Sequence, residues 1–185
     1  MYRLNNLKIV GLLLIALVGC QKLKPTEINI PEYPDLKAFY LSQAEKLSSS
    51  SLRKQVRLDD KSEIQSFQFD TLQWEEELSF FKEMNPSQPE YVGVFDKEVK
   101  GNEVRFTLKE GEKGILKKLL LVKKGGQYSS ISATIHEDKY VYIHHREVEV
   151  TLKDEVITSF DIQGYQNVIL QDTVRFGING KVSLK

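Results

Sequence analysis

From Tyr91 to the end of the chain, apolar and polar residues alternate with a period of two, broken only by short gaps rich in turn residues. Parallel strands need a crossover of a dozen or more residues, and these gaps are too short to supply one. Consecutive strands must therefore pair antiparallel, as a meander. The alternation predicts strands over 91–99, 104–108, 115–123, 128–136, 140–152, 156–162, 168–170 and 174–178. Lys100-Gly101-Asn102, Gly111 to Gly114, Gly125-Gly126, Glu137-Asp138-Lys139, Lys153-Asp154-Glu155 and Gly164 mark the breaks. Asn179-Gly180 is the sharpest signal, because a two-residue type I′ turn needs positive φ at both central positions.

Ahead of that region the period is helical. Leu36, Phe39, Tyr40, Ala44 and Leu47 fall on one face, with Lys37, Gln43 and Lys46 largely off it, so a helix is expected from Asp35 to about Leu47. Asp35 is placed to accept from the free amides of its first turn. The serine run 48–51 ends it. Val56 and Leu58, then Phe67 and Phe69, alternate with polar neighbours and predict two short strands around Asp59-Asp60-Lys61. A second helix is expected after Asp70, which has Gln73 three residues on as in a capping box. Trp74, Leu78 and Phe81 line its face, and Asn85-Pro86 stops it. The resulting expectation is an α+β domain: two N-terminal amphipathic helices packed on an antiparallel, meander-type sheet, curved in the manner of an open barrel.

The other end of the chain carries a different kind of information. Arg3 and Lys8 precede an apolar stretch from Ile9 to Val18, about half the length a membrane-spanning helix needs. Leu17-Val18-Gly19-Cys20 follows, and Cys20 is the single cysteine. This resembles the type II signal peptide and lipobox of bacterial lipoproteins. The resemblance implies cleavage before Cys20, acylation of its thiol, and a protein held at a membrane by covalent lipid. Residues 1–19 are then a signal peptide, 20–34 an acylated terminus and Pro-rich tether, and 35–185 a single domain. In general character the chain is similar to envelope lipoproteins of the Bacteroidetes type. Gln21 stands where an inner-membrane retention signal has Asp. Leu23 and Lys24 stand where surface-exported lipoproteins carry an acidic cluster. Together these imply an outer-membrane anchor with the domain facing the periplasm.

The 26 basic and 26 acidic residues balance, and removal of residues 1–19 leaves 24 against 26. That composition gives no basic excess for nucleic acid. His144-His145 would point to opposite faces of a strand, and with only His136 nearby no metal site is expected. Glu75-Glu76-Glu77 reads as a solvated helix face, and the glycine-rich segments at 111–114 and 123–126 match no phosphate-loop pattern. Nothing resembles a G-x-S-x-G or H-E-x-x-H motif, so neither catalytic residues nor a cofactor is expected. The leading expectation is a non-enzymatic envelope lipoprotein that binds or scaffolds another envelope component. The alternative is a carrier or receptor for an apolar ligand, held in a groove between sheet and helices. In outline that is similar to the periplasmic carriers and receptors of outer-membrane lipoprotein sorting, a likeness of architecture alone.

Overall fold

A computed structural model describes residues 32–184. Cys20, the expected signal peptide and most of the expected tether lie outside the described residues. Residues 32 and 33 pack against the sheet: Lys97 Nζ donates to the Glu32 carbonyl at 3.2 Å, and the Tyr33 ring lies 5.6 Å from that of Phe106.

Helix α1 (Leu36–Leu47) is capped by Asp35, whose carboxylate accepts from the amides of Lys37 and Ala38 at 3.0 Å each. Strands β1 (Ser51–Leu58) and β2 (Lys61–Gln68) form a hairpin. Helix α2 (Thr71–Glu77) begins with a complete capping box between Asp70 and Gln73 and tightens into a 3-10 segment, Leu78–Lys82. Seven strands follow: β3 (Phe95–Lys100), β4 (Glu103–Leu108), β5 (Leu116–Lys124), β6 (Gln127–Lys139), β7 (Tyr142–Lys153), β8 (Val156–Val168) and β9 (Val174–Ser183). The sheet order is β2-β1-β9-β8-β7-β6-β5-β4-β3, antiparallel at every pairing described.

This architecture corrects the α+β expectation. One nine-stranded antiparallel sheet makes up most of the described chain, and the helices are two short pieces rather than a pair of N-terminal amphipathic helices. Between them runs the β1–β2 hairpin, which joins the sheet beside the last strand. The second helix is short for a physical reason. Leu78, Phe80 and Phe81 are all buried, with the two phenyl rings stacked at 4.8 Å. That wraps more of the circumference than one α-helical face covers.

Several strand boundaries are corrected too. Gly164 and Asn179-Gly180 lie inside β8 and β9 rather than at turns. Each glycine serves close approach. A Cβ on Gly180 would sit 2.2 Å from the Phe160 ring, and one on Gly164 would sit 2.2 Å from the His145 carbonyl oxygen. Two turns have positive φ at both centres: Gly125-Gly126, at 61° and 86°, and Asp154–Glu155, at 51° and 61°, the second without a glycine. Gln43 explains how the second is held. Its amide donates to the Glu155 carbonyl at 2.9 Å and accepts from the Ile157 amide at 3.0 Å. Gln43 is therefore 1% exposed, on the buried face of α1 and not off it.

The core lies on the helix-bearing inner face. Phe106, Leu119, Leu121, Ile131, Ala133, Val148, Val150, Phe160 and Ile162 present it from the strands, under Tyr40, Ala44, Leu47, Trp74 and Phe81. Registers such as Leu119↔Ala133, Ala133↔Val148 and Val148↔Ile162 set these residues side by side across four strands.

Candidate functional site

The helices cover only part of the inner face. On β7 the buried residues Val148, Val150 and Leu152 share their face, by alternation, with Arg146 and His144 nearer the strand start. On β9 and β1 the same face carries Phe176, Ile178, Val56 and Leu58, with Val56↔Ile178 and Leu58↔Phe176 as cross-strand partners. Val56 and Leu58 are exposed. A cleft of about 590 Å³ opens here between the α2 segment and the sheet, floored by Ile162, Phe176, Ile178 and Phe80. A smaller hollow of about 230 Å³, lined by Val56, Glu63, Gln65 and Phe67, adjoins it and shares Lys54. Together they form a trough crossing from β7 to β2, four strand spacings or roughly 19 Å.

Its two cations are paired with carboxylates. Lys54 Nζ on β1 meets Glu77 at 2.8 Å, and Arg146 donates from Nη2 to Glu83. These two pairs tie the sheet to the helical segment on either side of the opening. Burial pushes the Arg146 guanidinium below its ordinary pKa, and its Nε is buried with no hydrogen-bond partner among the described residues. The His144 ring packs on Phe176 with centroids 5.8 Å apart. Burial lowers its pKa from 6.5 against the opposing pull of Glu137, so His144 is neutral at pH 7. With Glu76 included, the rim carries two cations and three carboxylates. Ser79 is the one hydroxyl side chain lining the cleft, and no hydrogen bond joins it to His144 among the described residues.

The histidines separate as strand geometry requires. His144 faces inward, while His145 faces outward and pairs with His136 across the β6–β7 ladder, their rings 5.7 Å apart. His145 also lies 3.3 Å from Glu147 and stacks near Tyr165 at 5.3 Å. Among the described residues, no group of three or more His, Cys, Asp or Glu side chains is arranged to hold a metal. Of the three-glutamate run, Glu77 pairs with Lys54 and Glu76 lines the cleft. Cys20, the lipidation residue expected from the lipobox, lies outside the described residues.

Sequence reasoning missed Lys54, Glu83, Arg146, Phe176 and Ile178 as a set. Arg146 carried a usable signal: it is in phase with Val148, Val150 and Leu152, so an arginine had to share their face. Lys54, Phe176 and Ile178 come together through the β1–β9 pairing, which joins residues more than a hundred positions apart, and Glu83 joins them through Arg146; neither leaves a local pattern. Compared with protein-family models, curated proteins and solved structures, the chain finds no match in any of the three.

Proposed function

We propose that this is a lipid-anchored, non-enzymatic binding protein of the cell envelope whose trough holds an amphipathic ligand, an acyl-chain lipid in the simplest case. The observation that carries the reading is the apolar floor left open beside a charge-paired rim. On the same sheet face as the core, Val56 and Leu58 are exposed, and Phe176 and Ile178 are half-buried in the cleft beneath the α2 segment. Trough volume falls within the range of about 300–1,000 Å³ usual for small-ligand sites. An acyl chain laid across β9 and β1 would cover that floor, with its polar end at Arg146, Glu83 and His144. Because Lys54 and Arg146 already have carboxylate partners, the fitting head group is neutral or zwitterionic rather than simply anionic. The anchor rests on the lipobox at Cys20 and is tested separately, by loss of fatty-acid labelling in Cys20→Ala.

The ligand reading is tested by titrating the full chain with a fluorescent acyl probe, comparing wild type with Val56→Arg. Val56 is 40% exposed, so the variant keeps its fold while placing a charge on the trough floor. Saturable binding by the wild type is expected, with a loss of at least tenfold in affinity in Val56→Arg. Equal binding by the two chains would overturn the reading.

A further inference from the structure

At one end of the sheet, the β6–β7 turn and the β8–β9 loop lie side by side, joined by a hydrogen bond from the Ile169 amide to the Val141 carbonyl at 3.0 Å. Their tips carry Tyr140, Val141, Ile169 and Leu170. Tyr140 is 94% exposed and Leu170 is 99% exposed. Leu170 is also held at φ 64°, a left-handed conformation that leucine rarely adopts. Large apolar side chains scattered singly on a surface need no account, but four of them concentrated on two neighbouring loop tips do.

We infer that the Tyr140-Val141 and Ile169-Leu170 tips form a membrane-docking surface that inserts at the headgroup level of a lipid bilayer. Shape and size select a bilayer over a protein partner. A stable protein interface takes about 800 Å² and some 20–30 residues from each side, and two narrow tips with four apolar residues offer far less. Tips of this kind instead suit a fluid apolar phase that closes around them. Tyrosine belongs at that depth, where its ring meets acyl chains and its hydroxyl meets water. The flanking charges, Lys139 against Asp138 and Asp172, give no cationic excess, so insertion is apolar rather than electrostatic.

The location adds a consequence. The tips terminate β7 and β8, and His144 and Arg146 line the trough only a few residues further along β7. A bilayer touching the tips therefore lies at the mouth of the trough. Insertion of the tips requires no ligand in the trough.

Tyr140→Trp in the full chain provides a reporter, and Trp74, the single native tryptophan and 0% exposed, provides an internal shielded control. The protein is mixed with phosphatidylcholine vesicles whose acyl chains are brominated. The expected result is that the fluorescence added by Tyr140→Trp shifts to the blue and loses about half its intensity, while the Trp74 contribution is unchanged. Adding Leu170→Asp should restore the lost intensity. Emission from position 140 that stays unquenched would overturn the inference, whether it remains at the water-exposed wavelength or turns blue by contact between protein molecules. Both substituted positions are solvent-exposed, so the fold is not at stake.

Discussion

The two halves of the inner sheet face are built from the same alternation yet end in different states. Over β4 to β8, Phe106, Leu119, Ile131, Val150 and Phe160 are closed off by α1 and the α2 segment. Over β9 and β1, Phe176, Ile178, Val56 and Leu58 repeat the pattern, but the first two are only half-buried under an open cleft and the last two are exposed. Each half exposes or hides a comparable set of side chains, so what differs is coverage. Burial of a large apolar side chain contributes about 1.5–3 kcal/mol, and the covered half gains that stabilisation while the open half forgoes much of it. A sheet face left apolar and uncovered is what a binding protein needs and a purely structural domain avoids.

That comparison can be broken most directly at Trp74, where the covered half should be strongest. Its ring is fully buried and meets Phe69 edge-on at 5.4 Å. Trp74→Ala should destabilise by about 3–5 kcal/mol, measured by chemical denaturation. A loss below about 1 kcal/mol would mean that the helical segment is not what holds the covered half together. Gly180 sharpens the boundary between the halves, since the far end of the Phe160 ring lies where its Cβ would be. Gly180→Ala should cost about 1–3 kcal/mol by forcing that ring aside. An unchanged denaturation midpoint would contradict the packing.

The smallest expected effect lies in the open half. Burial lowers the pKa of His144 in the folded protein, so the unfolded chain binds the proton more readily. The stability this residue contributes is complete above pH 6.5, its ordinary value, and is lost as pH falls through the lower folded value. Thermal melts should therefore show a modest drop on the acid side of pH 6.5 that His144→Asn flattens. A wild-type profile no steeper than that of the variant would remove His144 from the account.

Much of this molecule was legible where local chemistry decides structure. The Asp70–Gln73 capping box, the Asp35 cap and the turn at Lys153-Asp154-Glu155 are fixed by neighbours within a few residues. The separation of His144 from His145 follows from the strand period alone. What failed was non-local. Asn179-Gly180 has the composition of a tight turn, but β9 runs straight through it, paired with β1 and β8, and the glycine instead makes room for the Phe160 ring. Gln43 reads as solvent-facing until its partners at Glu155 and Ile157 are known, more than a hundred residues away. The fold class was misjudged for the same reason. The β1–β2 hairpin reads as a minor feature between two helices, and only its pairing with β9 makes it two strands of one large sheet. The trough inherits that difficulty, since its floor is assembled by the same pairing.

Amide hydrogen exchange, with and without an acyl probe, tests most directly the claim that the covered half holds the fold and the open half holds the ligand. Amides of β5 and β6 should be strongly protected and unchanged by the probe. Those of β1, β9 and the first residues of β7 should gain protection when it binds. Protection gained mainly in β5 and β6, or nowhere in the described residues while the probe is bound, would contradict the claim.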